Sequence, residues 1–116
     1  MFNSPSLQEI TVQELAQQIT VNGDNLQLID VREPQEISLA TIPGFTILPL
    51  SQFAQWSSNI TTYFDINAET IVLCHHGIRS AQMCQWLAYQ GFTNIKNVSG
   101  GIDAYSRKVD RNIPRY

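Results

Sequence analysis

Cys74-His75-His76-Gly77-Ile78-Arg79-Ser80 gathers a thiol, two imidazoles, a guanidinium and a hydroxyl around one glycine. The thiol follows Thr70-Ile71-Val72-Leu73, a short β-branched run with the pattern of a buried strand. A helical segment, Ala81 to Gln90, comes after it, with its start expected at Ser80. A thiol between the carboxyl end of a buried strand and a helix N-terminus is placed for reactivity. The helix start offers unpaired N–H groups and partial positive charge, and a tight turn can aim further N–H groups inward as a nest. Both favour thiolate over thiol. Gly77 gives the loop access to positive φ, Ser80 is placed to cap the helix, and Arg79 either pairs with an anionic ligand or braces the loop.

The neighbouring polar residues carry competing readings. His75 and His76 beside Cys74 invite a metal site, but adjacent side chains are expected to diverge and no second cluster supplies further ligands. No metal is expected, and the two histidines are read as shaping the pocket mouth or tuning its charge. Cys84 lies four residues after Ser80, in line with Leu87 and Ala88, which is a core face; a resolving thiol is the alternative. Two cysteines are too few for a disulfide scaffold, and they are not spaced as C-x-x-C. Asp30 and Arg32 are either an ion pair fixing a strand end or substrate contacts. Glu33 and Glu36 read as a solvated helix start.

The elements that must position these groups alternate in type. Thr11 and Glu14 fit a capping box for a helix to about Ile19. Leu26 to Val31 reads as a strand, Pro34 opens a short helix to Leu39, and Thr46 to Leu50 reads as another strand. Ser51 is expected to cap a helix with Phe53, Ala54, Trp56 and Ile60 on its apolar face; a strand at Asn94–Val98 and a helix at Ile102–Val109 close the chain. Strand–helix alternation predicts an α/β domain with a largely parallel sheet, whose ligands bind beyond the strand carboxyl ends. Asp30-Val31-Arg32, Cys74 and Ser99-Gly100-Gly101 are therefore expected on one rim. Residues 1–9 read as an arm and residues 10–116 as one domain.

Composition narrows the function classes. A chain of 116 residues suits one core. A net charge of −3 gives no reason to expect nucleic acid or an anionic membrane surface as partner. No apolar run approaches a membrane span, and the first residues are neither basic nor apolar as a secretory signal would be, so a cytoplasmic location is expected.

Four blocks together resemble the rhodanese-like (thiosulfate sulfurtransferase-like) domain family. They are Leu28-Ile29-Asp30-Val31-Arg32-Glu33-Pro34-Gln35-Glu36; Ile42-Pro43-Gly44 with Ile47-Leu48-Pro49-Leu50; the Cys74–Ser80 loop; and Gly100-Gly101-Ile102-Asp103-Ala104-Tyr105 with Ile113-Pro114-Arg115-Tyr116. Ala40-Thr41 stand where the family usually has Gly-His, and Tyr105 where it often has tryptophan. The resemblance implies a five-stranded, mainly parallel sheet with helices on both faces. It implies that Cys74 cycles between thiolate and persulfide without a cofactor, taking sulfur from thiosulfate or a persulfide and giving it to cyanide or a thiol, with a protein persulfide as a further candidate partner. Two alternatives stand beside it. One is a rhodanese-fold module that binds a partner or relays sulfur. The other is a phosphatase-like or arsenate-reductase-like enzyme, against which the spacing speaks: four residues separate Cys74 from Arg79, whereas the phosphatase signature has five.

Overall fold

The computed structural model describes residues 7–116. Five short strands form one sheet: β1 (Glu9–Ile10), β2 (Gln27–Asp30), β3 (Thr46–Ile47), β4 (Thr70–Leu73) and β5 (Ile95–Val98). Their order is β1-β5-β4-β2-β3 and every pairing is parallel. The helices are α1 (Val12–Asn22), α2 (Pro34–Leu39), two single turns α3 (Phe53–Trp56) and α4 (Ile60–Tyr63), then α5 (Ile78–Tyr89) and α6 (Gly101–Lys108).

Side-chain alternation along the strands divides the core in two. Leu28, Ile71, Leu73 and Val98 point to one face, where Val12 and Leu15 of α1 and Ile102 and Ala104 of α6 cover them. Ile29, Val72 and Cys74 point to the other, against Trp56, Ile60, Met83, Cys84 and Leu87 of α3, α4 and α5. Burying one such aliphatic side chain is worth about 1.5–3 kcal/mol, so the central strands anchor both layers. This is the α/β domain that the strand–helix alternation predicts, with the helices on both faces that the resemblance implies. The expected capping box also forms: Glu14 N–H donates to Thr11 Oγ1 at 3.0 Å and Thr11 N–H to Glu14 Oε1 at 2.8 Å.

Several boundaries differ from expectation, each for a local reason. Glu9, read as the last residue of an arm, and Ile10, the first of the domain, pair with Asn97 and Val98 and form the edge strand; residues 1–6 lie outside the described part. Two residues give no alternation from which to read a strand. The expected strand at 46–50 stops at Ile47: Leu48 N–H still donates to Asp30 O at 2.9 Å, but the chain enters a 3₁₀ turn from Leu50. Ser51 caps no helix; its hydroxyl and its N–H both donate to the Glu33 carboxylate. The segment it was expected to open is a series of single α and 3₁₀ turns. Helix α5 begins at Ile78, two residues before Ser80, because Gly77 occupies the N-cap position.

Candidate active site

Cys74 follows the last residue of β4, with its side chain 1% exposed between the sheet and α5. Gly77 adopts φ +101°, a conformation that L side chains rarely adopt. The turn brings the Gly77 N–H to 3.0 Å from Cys74 Sγ, donating to it. Ser80 Oγ stands 3.1 Å from the same sulfur. Ser80 is therefore not a helix cap; it is fully buried against the thiol. The loop carbonyls are held from below. Ile102 N–H donates to Cys74 O at 2.9 Å and Asp103 N–H to His75 O at 3.1 Å, so the first turn of α6 spends its free donors on the loop. Gly101, at φ +62°, lies so close to those two carbonyls that a Cβ would overlap them.

A second frame comes from the end of β2. Asp30 and Arg32 are fully buried and form an ion pair, with Arg32 Nη2 2.8 Å from Asp30 Oδ2 and Nε 3.1 Å from Oδ1. Arg32 Nη1 donates onward to Tyr116 Oη at 3.0 Å, and Tyr116 O–H donates to Glu36 Oε1 at 2.9 Å. Burial works against the charged Arg32, but its hydrogen bonds to Asp30 and Tyr116 outweigh that and raise its pKa. Neither Asp30 nor Arg32 bonds to Cys74; Arg32 is linked to Glu36 through Tyr116, and Asp30 bonds Arg32.

Glu36 is not the solvated helix residue expected. It receives Arg79 through two hydrogen bonds, Nη1 to Oε2 at 2.7 Å and Nη2 to Oε1 at 2.8 Å, and its own Oε2 also accepts from Glu33 N–H at 3.0 Å. The Arg79 hydrogen bonds hold the Glu36 carboxyl down to about 2, and the same contact raises the guanidinium. Arg79 is thereby paired with α2.

The histidines do not diverge. Their rings stack with centroids 3.9 Å apart, and Tyr116 stacks on the other side of His75, also at 3.9 Å. Burial, then His76, lowers the His75 pKa, favouring the neutral ring. Ligand atoms of His75, His76 and Asp103 lie within 4.8 Å of one another. They fit a metal poorly: stacked rings direct their lone pairs side by side, and Asp103 already accepts from Arg107 at 3.1 Å and Arg115 at 2.9 Å. Ile78 is 72% exposed on the loop's shoulder. Cys84 belongs to the apolar cluster under α5, and burial pushes its thiol up to about 12.

Four contributors escaped sequence reading: Glu36, Tyr116, Asn97 and Glu9. Asn97, on β5, accepts the Ser80 hydroxyl at Oδ1 and donates from Nδ2 to Gly77 O and Glu9 Oε2, both at 3.0 Å. Each meets the loop across a separation that no local pattern reports. Asn97, a polar residue in the buried half of β5, was the one available signal.

The chain's relatives agree with this architecture. A family model described as Rhodanese-like domain matches residues 11–108. A chloroplastic Rhodanese-like/PpiC domain-containing protein of Arabidopsis thaliana is 48% identical over 112 residues, which cover 95% of this chain and 38% of that protein. A protein of Allochromatium vinosum named sulfurtransferase is 34% identical, over 85% of this chain and 88% of its own. Among solved structures, a rhodanese-like domain protein of Staphylococcus aureus superposes with a TM-score of 0.75 at 25% identity, covering 95% of this chain and 99% of that one. With the family model spanning most of its length and the loop closing over a buried thiol, the chain belongs to the rhodanese-like domain family.

Proposed function

We propose that this protein is a sulfurtransferase that carries sulfane sulfur as a Cys74 persulfide. It takes that sulfur from a persulfide-type donor more readily than from thiosulfate, and passes it to a thiol or cyanide. The observation that carries the reading is the Cys74 sulfur facing the Gly77 N–H at the start of a 12-residue helix. The thiolate attacks the outer sulfur of the donor, the donor's sulfur–sulfur bond breaks, and its inner sulfur leaves with the electron pair. An acceptor then attacks the outer sulfur on Cys74 and regenerates the thiolate, a two-step covalent cycle with ping-pong kinetics.

The preference between donors rests on charge. Thiosulfate is a dianion, yet Arg79 is held by Glu36 and His75 is biased to neutral. Exposed Ile78 offers an apolar shoulder to a small thiol or to a protein persulfide. The phosphatase-like alternative loses support for the same reason, since an oxyanion enzyme needs its arginine free to meet the anion.

Intact mass measurement tests this. The reduced protein is incubated with thiosulfate or with a low-molecular-weight persulfide, freed of excess, and weighed. A gain of about 32 Da, faster from the persulfide, reversed by reductant and absent in Cys74→Ser, is expected. No gain from either donor overturns the reading.

A further inference from the structure

The buried polar chain behind the thiol has one hydrogen too few once the sulfur is ionised. Ser80 Oγ is within bonding distance of both Cys74 Sγ and Asn97 Oδ1, but a hydroxyl has a single hydrogen to donate. Which partner receives it is decided by Asn97. The two Nδ2 hydrogens go to Gly77 O and Glu9 Oε2, and both of those oxygens only accept. Flipping the amide would set Oδ1 against them, so Oδ1 must face Ser80. Glu9 is itself held, because its Oε1 accepts from Ser99 Oγ at 2.7 Å. Ser80 and Asn97 are 0% and 3% exposed, so solvent does not easily supply the missing hydrogen. A serine oxygen whose hydrogen is committed to Asn97 presents only lone pairs to the sulfur.

We propose that the Ser80 hydroxyl hydrogen is a two-position switch that follows the charge on Cys74 Sγ. It rests on Asn97 Oδ1 while the sulfur is a thiol and turns onto Sγ when the sulfur is an anion. With the thiol, the bonds run in one direction: S–H donates to Ser80 Oγ, and Ser80 O–H donates to Asn97 Oδ1. Ionisation removes the sulfur's hydrogen, and the serine hydrogen rotates to the thiolate, leaving Asn97 Oδ1 unpaired. That loss is a cost that Asn97 adds to forming the anion. The inference rests on the reading of Cys74 as the sulfur carrier for its meaning in turnover. When an acceptor attacks the outer sulfur of the persulfide, the sulfur–sulfur bond breaks and its electron pair goes to Sγ. Ser80 then donates to the leaving thiolate. Ser80 touches the reacting atom and is catalytic; Asn97 and Glu9 are positioning residues.

A mutant cycle read by iodoacetamide alkylation against pH tests the switch. Asn97→Ala removes the competing acceptor, and water entering the space donates or accepts with equal ease. The inflection of the alkylation profile should move about one pH unit lower, with about tenfold faster alkylation below it. In a Ser80→Ala background the same substitution should move it little. The charged and titratable groups around the thiol, namely Arg79 with Glu36, His75, His76, Cys84, Asp103 and Glu9, are common to both backgrounds. An unmoved or raised inflection in Asn97→Ala overturns the proposal, and so does an equal fall without Ser80.

Should Asn97→Ala not fold, a second readout leaves Asn97 in place. The Asn97 side-chain amide resonance should titrate at the alkylation inflection in the unmodified protein and cease to do so in Ser80→Ala. A resonance indifferent to that inflection, or equally sensitive without Ser80, refutes the switch. Sulfur loading by mass is read separately, so a protein that never gains sulfur but whose Asn97 follows the thiol keeps the switch and loses the sulfur-carrier function.

Discussion

Glu36→Gln exchanges the carboxylate that clamps Arg79 for a neutral amide of the same shape. In the folded protein the Glu36 carboxyl is held down from 4.5 to about 2, first by the Arg79 hydrogen bonds. A fall of about 2.5 pH units at about 1.36 kcal/mol each sets a ceiling of roughly 3.4 kcal/mol of stability. The side chains are 33% exposed for Arg79 and 18% for Glu36, and water in contact with both reduces this to about 2 kcal/mol. The sign follows from the direction of the displacement. A carboxyl whose folded value is depressed stabilises the fold above its unfolded value, here about 4.5, and loses that stability as pH falls through about 2. The gap between the parent and Glu36→Gln should therefore be full at pH 7. Less than half of it should remain by pH 3, and it should close below pH 2.

Urea unfolding followed by tryptophan fluorescence reads this directly. With an m-value of roughly 1.3 kcal/mol/M, the midpoint should fall by about 1.5 M at pH 7 and by well under 1 M at pH 3. A gap below about 0.5 kcal/mol at pH 7, or one of the same size at both pH values, refutes the clamp as a stabilising device. The same variant frees Arg79 to meet an anion, so its loading from thiosulfate should quicken relative to loading from a persulfide.

Other positions give sharper or milder outcomes. Gly101→Ala places a Cβ into the carbonyls of Cys74 and His75 at φ +62°, and should cost upwards of about 3 kcal/mol and abolish sulfur loading, whereas Gly23→Ala, with nothing within 4 Å, should be near neutral by thermal melting. Tyr116→Phe keeps the stack on His75 but removes the bonds to Arg32 and Glu36, and chemical denaturation should show a loss of about 1–3 kcal/mol. Cys84→Ala should leave sulfur loading unchanged, and peptide mapping after brief iodoacetamide at pH 8 should find the label on Cys74 and not on Cys84, whose thiol at about 12 is only about one part in ten thousand ionised there.

The parts of the fold that the sequence made legible are those whose signals are local. Thr11 and Glu14 are three residues apart and form the capping box their types require. Ile71, Val72 and Leu73 alternate between two covered faces, so a continuous apolar run was the correct signature of a central parallel strand. Edges were harder to read. Glu9–Ile10 is two residues long, too short for a period, and its strand character comes from its neighbour β5; the strand at Thr46–Ile47 is legible in the sequence but its end is not. Ser51 and Ser80 each looked like caps by type and position. Both instead bond to partners far along the chain or across the loop, Glu33 and Cys74.

The site divides along the same line. Cys74 and Gly77 act through atoms within their own turn, and sequence places them well. What tunes that turn comes from a distance: Glu36 is 43 residues from Arg79, Tyr116 is 84 from Arg32, and Glu9 is 88 from Asn97. Sequence spacing cannot choose between a free and a paired arginine, because Arg79 has the same type and position either way. The parallel register does choose. It sets the carboxyl ends of β2, β4 and β5 side by side, and brings Asn97 opposite both Val72 and Glu9. An edge strand only two residues long thereby carries Glu9 to the amide that orients Ser80. The sheet edge and the reactivity of the thiol are thus joined by one hydrogen-bonded path, so that shifting β1 by a single residue would turn Glu9 to the opposite face and release Asn97.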